Sequence, residues 1–453
     1  MGSHVIDNFA LQNNFGTAEM RAVFDDVARL QRQLDVEAAL ALAEGELDVI
    51  PKAAAKQIAD VCDISLYDLD EISKETAIAK HSLMGLINSV QKKAEDAGEY
   101  VHYGATTQDI VDTATVIQLK QALDIIERDL IAIIKKLAKL SKKYQHTVMV
   151  GRTHAMQALP ITFGYKLAIW TAEFSRHATR LNESKERILT GNINGAVGTF
   201  ASLGEVGKLV EKQALAYLEL NTPIASLQSS RDNFSEYANL IGLISATLGK
   251  IGNEFYNLMR TEIGEIEEGF SKGKIGSSTM PHKRNPAAFE TLASLTPPVL
   301  KGVSLVHESM HVEHERDAMS WRQEWIALPE ISIYLSGQLT NLLSILETLV
   351  VREDRMLENL NRQYGLLLSE KVMFEVGKKL GKQTAHHIVY EKSMIAFEEN
   401  RSFADTLLES EAIQQHFNRS IIEEWLDPAK YTGQAVTVVD DVYQEIEKNY
   451  GRL

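Results

Sequence analysis

The chain has 453 residues, 45% hydrophobic and 24% charged, the proportions of an ordinary globular protein, which exclude a disordered or fibrous chain. Its 62 acidic against 47 basic residues give a net charge of −15, which argues against nucleic acid or an anionic membrane as main partner but leaves an anionic small substrate open. One cysteine, Cys62, excludes an intrachain disulfide framework and a Cys-rich metal site.

No apolar run is long enough to span a bilayer, and the start, Met-Gly-Ser-His, lacks the regions of a secretory signal, so a cytoplasmic protein is expected. In chain order, the first informative segment is Val101 to Ala114, VHYGATTQDIVDTA. Thr106, Thr107 and Asp109 can cap the helix that follows, and the hydroxyls can also bind a carboxylate at its N-terminus. From Ala105 to Val150 there is neither Gly nor Pro. Val116, Leu119, Leu123, Ile126, Leu130, Ile133, Leu137 and Leu140 alternate steps of three and four, which predicts a helix with a bundle seam of roughly 38 Å. Ile117, Ile125, Ile131 and Ile134 widen that stripe, so the helix is expected to be buried on more than one side.

Gly151 to Pro160, GRTHAMQALP, follows this helix and holds His154. Gly191 to Gly204 is a loop by composition. Asp232 to Ile263 reads as a second long helix in which Gly242, Gly249 and Gly252 let a neighbour approach closely. Gly273 to Pro286 is another loop, and its end, Gly276 to Pro286, reads GSSTMPHKRNP. Three hydroxyls, a His, a Lys, an Arg and an Asn between a glycine and a proline suit a loop closing over an anion better than a packed core. His307, His311 and His314, at steps of four and three, offer a rival zinc-ligating helical face. Pro329 to Val351 reads as a helix with Pro329 in its first turn. Strand signals are scarce. The division expected is an N-terminal helical domain (1–110), a central long-helix bundle (111–355) and a C-terminal helical domain (356–453).

GSSTMPHKRNP resembles the signature loop of the fumarase/aspartase superfamily. GRTHAMQALP and VHYGATTQDIVDTA are similar to its two other characteristic segments, in the expected order. The resemblance implies an all-α homotetramer with sites shared between subunits, no cofactor, and β-elimination next to a carboxylate. It implies Ser277 as base, His154 as acid toward the leaving group, oriented by Glu290, and His81 as a further catalytic residue. Substrate binding is implied for His102, Thr106, Thr107, Arg152, Thr153, Ser278, Met280, Lys283 and Asn285. Chemically, such a site needs a base, fixed donors for the dianionic aci-carboxylate and an acid. A serine hydroxyl is intrinsically a poor base, so the loop must close and exclude water.

Two branches of the superfamily compete. His81, His102 and His154 resemble the three histidines of adenylosuccinate lyases, whereas 3-carboxymuconate cycloisomerases typically have Trp at the GRTH histidine. Glu19–Glu44, Glu313–Trp325 and Leu426–Ala435 resemble the cycloisomerases instead. The motifs with which purine enzymes hold a nucleotide are absent or changed: Lys80-His81-Ser82 replaces Arg-His-Asp, and Trp321-Arg322 replaces a serine pair. The expectation is a lyase that releases fumarate from a succinyl-type substrate and handles adenylosuccinate poorly. A lactonising cycloisomerase is the alternative, and a non-catalytic structural homologue a further one.

Overall fold

The structure, a computed structural model, describes residues 3–269, 279–280 and 282–453. Ser277 and Ser278 lie outside the described residues. The fold is all-α, and among the described residues the strands form two two-stranded antiparallel pairs. Two compact units divide the chain: unit 1 comprises Met1–Leu130, His177–Gly249 and Ser294–Thr340, and unit 2 comprises Ile131–Arg176, Lys250–Ala293 and Asn341–Leu453.

Helix α1 (Asp26–Glu46) is started by Asp25, whose carboxylate accepts from the Ala28 N–H, satisfying one of the donors that a helix start leaves unpaired. Helix α2 (Thr107–Lys143) is 37 residues long. At its head the Thr106 N–H donates to Asp109 Oδ2 at 3.0 Å and the Asp109 N–H to the Thr106 carbonyl at 2.9 Å, a reciprocal cap. Val116, Leu119, Leu123, Ile126, Leu130, Ile133 and Leu137 are buried, as are Ile117, Ile125 and Ile134, so α2 is covered on more than one side. Leu140 and Ile131 are half-buried.

After α2 come strands β1 (Val148–Thr153) and β2 (Met156–Thr162), then helices α3 (Phe163–Ile188) and α4 (Asp232–Leu258). Strand β3 (Ile266–Glu267) follows, then helices α5 (Ala287–Ser294), α6 (Thr296–Glu308) and α7 (Ala318–Thr348), and strand β4 (Val350–Val351). The three glycines of α4 are contact points. A Cβ at Gly242 would meet Val303 of α6 at 3.0 Å, one at Gly249 would collide with the Thr296 hydroxyl, and one at Gly252 would stand 2.8 Å from the Ala293 backbone nitrogen. In unit 2 the C-terminal helices close over a separate apolar cluster that includes Val372, Val376, Val389, Phe403, Leu407 and Ile422.

Four expectations are corrected. The second long helix ends at Leu258, not Ile263. Helix α7 begins at Ala318, so Pro329 lies inside it rather than in its first turn. The preceding turns look like surface by composition, yet Asp317 caps them through the Ser320 N–H, and Trp321 and Glu324 have partners in unit 1. GRTHAMQALP, for which no strand was expected, forms the β1–β2 hairpin. Helix α6 ends at Glu308, so His311 and His314 lie beyond it and share no helical face with His307.

Candidate active site

In unit 1 the candidate residues converge on the N-terminus of α2. The helix before His81 ends at Lys80, in a left-handed conformation (φ 50°). The Leu83 N–H then donates to His81 Nδ1 at 3.4 Å, and Nε2 lies 3.3 Å from Thr107 Oγ1. Because Nδ1 accepts, the imidazole proton belongs on Nε2, which donates to Thr107. Arg316 donates to Thr106 Oγ1 at 2.8 Å. Each threonine oxygen therefore accepts from a neighbour, and each hydroxyl hydrogen is left to point elsewhere. Two such donors at the positive end of a 37-residue helix suit a carboxylate. His102 stands four residues ahead of Thr106 with φ 62°, its Nδ1 2.7 Å from Glu37 Oε1.

Beneath this rim lies a buried polar layer. Asp109, fully buried, also accepts from the Gly195 N–H at 2.9 Å and from the Asn192 and Gln228 side chains. Burial raises its carboxyl to about 6 against the pull of those hydrogen bonds. Glu211, raised to about 7 by burial, accepts from the Ile193 N–H. The 191–204 loop is thus tied to the head of α2. Arg231 pairs with Asp112 (2.5 and 3.1 Å) and with Glu324 (2.9 and 2.5 Å). The Trp321 indole N–H donates to Asp112 at 2.7 Å and packs edge-on against Trp325 at 4.8 Å, over which lies Arg29.

In unit 2, Thr153 and His154 sit at the exposed tip of the β1–β2 hairpin. His154 (φ 53°) and Ala155 (φ 64°) are consecutive left-handed residues, the backbone of a tight hairpin turn but costly for side chains bulkier than Gly or Asn. The turn is held from below. Arg152 makes a bidentate pair with the buried Glu265 (3.0 and 2.6 Å), which also accepts from Asn359 at 2.8 Å. Met280, Lys283 and Asn285 are exposed. The Lys283 N–H bonds the Met280 carbonyl at 3.0 Å, and Arg284 lies 3.4 Å from Glu267. Glu268 caps α5 through the Ala288 and Phe289 N–H groups at 2.5 and 3.0 Å, and Glu290 projects from the exposed side of that helix. Among the described residues neither His154 nor Glu290 has a side-chain hydrogen-bond partner, and the two are not bonded to each other.

Within its unit, the structure therefore joins His81 to Thr107 and Thr106 to Arg316, and places Arg152, Thr153 and His154 on one hairpin. Sequence reasoning missed Glu37 and Glu265, the carboxylates behind His102 and Arg152. Glu37 left a trace, an acid on the apolar stripe Leu34, Glu37, Ala41, Glu44 of α1; Glu265, in GEIEEG, left none. Among the described residues no group of three or more His, Cys, Asp or Glu is placed to hold a metal, and no helix is long and apolar enough to cross a membrane.

A lyase family profile matches residues 14–299, and an adenylosuccinate lyase C-terminus profile matches residues 365–442. The chain belongs to the fumarase/aspartase superfamily. It is an enzyme of the β-eliminating lyase class. It is 67% identical to the N-acetyl-S-(2-succino)cysteine lyase of Enterococcus italicus and 62% identical to that of Dickeya dadantii, covering 98% of this chain and 97% of the relative in each case. Among solved structures it is similar to the 3-carboxy-cis,cis-muconate lactonizing enzyme of Pseudomonas putida, with a TM-score of 0.90 at 35% identity over 96% of this chain and 98% of that one. This superfamily member thus keeps a fold common to lyases of different leaving groups, and its relatives at the highest of these identities carry a thioether name.

Proposed function

We propose that the protein cleaves S-(2-succino) thioethers, N-acetyl-S-(2-succino)cysteine foremost, into fumarate and a free thiol. The observation that carries this reading is full-length identity of 67% and 62% to two enzymes of that name. The site chemistry agrees with it. In such a substrate the carbon bearing sulfur is flanked by a methylene next to the second carboxylate. Ser277 removes a methylene proton, the negative charge passes into the aci-carboxylate, and the C–S electron pair leaves with sulfur. Lys283 and Asn285, assisted by Ser278 and the backbone near Met280, stabilise the aci-carboxylate. Thr106, Thr107 and His102 hold the other carboxylate, and His81 fixes the Thr107 hydroxyl. His154, oriented by Glu290, stands at the leaving group, while Arg152 holds the turn that presents Thr153 and His154.

The homotetramer and the division at residues 110 and 355 belong to the same reading. Leu243 of α4, Leu300 of α6, and Met319 and Ile326 of α7 are 49, 45, 68 and 56% exposed, an apolar surface on long helices that a second copy would cover. Sites shared between subunits would give the exposed His154 and Glu290 their partners. Near Trp321 and Trp325 the purine-type phosphate ligands are replaced by indole surface, which suits a small N-acylated thiol better than a nucleotide. The test compares side by side the absorbance of fumarate formed from N-acetyl-S-(2-succino)cysteine, adenylosuccinate and argininosuccinate with the loss of diene absorbance from carboxymuconate. The thioether should have the highest kcat/KM. Preferential cleavage of adenylosuccinate, or lactonisation of carboxymuconate alone, would overturn the reading.

A further inference from the structure

Helix α1 carries a buried polar stripe, Gln33, Glu37 and Glu44, with exposures of 2, 1 and 0%. A carboxylate in a core needs a partner. Glu37 has one, for its Oε1 lies 2.7 Å from His102 Nδ1, while Oε2 has no hydrogen-bond partner among the described residues. The His102 side chain is 18% exposed, and its Nε2 edge has no protein partner among the described residues. The histidines that flank the two threonines are thus wired differently. His81 takes a backbone N–H on Nδ1, which leaves Nε2 to carry its proton. His102 faces a carboxylate and gains from protonation.

Resting on the lyase reading above, we infer that Glu37 is a positioning residue that holds His102 as an imidazolium, with Nδ1–H given to Glu37 and Nε2–H offered to a substrate carboxylate. The pairing also explains why a histidine is kept at φ 62° immediately before the threonine pair, a backbone that histidine seldom adopts. Burial alone would disfavour the cation, but the charge and hydrogen bond of Glu37, with a smaller contribution from Asp109 of α2, outweigh it and raise the His102 pKa. The other titratable groups around this pair leave that balance in place. Glu44 is raised to about 9 by burial and by Glu37 itself, and so is neutral near pH 7. The Cys62 thiol is raised by burial and by Glu37 and Asp35. Glu211, raised to about 7 by burial, acts on Asp109.

The test is Glu37→Gln in the full-length enzyme, which keeps an acceptor for Nδ1–H but removes the charge. At pH 8 the KM for N-acetyl-S-(2-succino)cysteine should rise about tenfold or more, the worth of one charge-assisted hydrogen bond, with kcat changed much less. Toward pH 5.5 the KM defect should fade, because His102 then protonates unaided at its ordinary value of about 6.5. His102→Asn should show the KM rise at every pH, and adding Glu37→Gln to it should change nothing further. A pH-independent loss of kcat in Glu37→Gln would make Glu37 merely structural and overturn the inference. If Glu37→Gln does not fold, His102→Asn decides, since an unchanged KM there contradicts the inference. Failure of the wild type to release fumarate from any succinate adduct would count against the function alone. In that case the histidine proton resonances of the free enzyme decide: His102 titrating at or below its ordinary value refutes the cation.

Discussion

In the proposed reaction His154 stands at the leaving group. A thiol of ordinary pKa, about 8.5, leaves as a thiolate with little help, whereas an amine must be protonated as the bond breaks. Replacing His154 with Ala should therefore cost kcat about tenfold on a succinylated thiol but about a thousandfold on a succinylated amine, the usual range for general acid catalysis. Equal losses on matched S- and N-succinyl substrates would remove the acid role. His81, His102 and His154 resemble the three histidines of adenylosuccinate lyases, yet the thioether proposed as substrate depends on the imidazole less. Arg231 is a residue of another kind. It is fully buried between Asp112 and Glu324, and the two carboxylates hold its charge against the penalty of burial. It ties α2, through Asp112, to α7, through Glu324.

At the scale of elements, helix contacts rest on small residues. Gly252 of α4 faces the backbone of α5, with the Phe289 carbonyl and the Ala293 nitrogen 3.0 and 2.8 Å from the place of a Cβ. Backbone cannot swing aside as a side chain can, so Gly252→Ala should destabilise the protein by about 1–3 kcal/mol and spread α4 from α5. Thermal unfolding measures it, and a wild-type Tm would refute so close a contact. The glycines were legible in the sequence, as was α2, because an alternation of three and four sustained over twenty-five residues has few other readings. The start of α7 was not legible. Pro329 sits near the front of a Leu- and Ile-rich run and imitates a first-turn proline, while the turns before it are bound through Trp321 and Glu324, whose partners Asp112 and Arg231 are about a hundred residues or more away. The hairpin at GRTHAMQALP escaped for a similar reason: its turn is made by His154 and Ala155 in left-handed conformations, not by the glycine or asparagine that advertises such a turn. The histidines were legible as candidates, and His81 and His102 do stand at the head of α2. What stayed hidden were the carboxylates behind them, because an acid that will be buried against a distant histidine or arginine looks like any surface acid until the fold supplies the partner.

For the whole molecule, the proposed shared sites require several copies of the chain. If the proposed shared sites take Ser277 and His154 from different chains, mixing inactive Ser277→Ala and His154→Ala variants after reversible dissociation should restore a fraction of activity through hybrid sites. An active monomer in sedimentation, or no recovery from mixtures that do form hybrids, would contradict shared sites. The chemistry itself is tested most directly by product stoichiometry. Purified enzyme given N-acetyl-S-(2-succino)cysteine should release fumarate, read by its ultraviolet absorbance, and free thiol, read with a thiol-specific reagent, in equal amounts and without added metal or cofactor. Fumarate without thiol, thiol without fumarate, or neither would contradict β-elimination of a succinyl thioether.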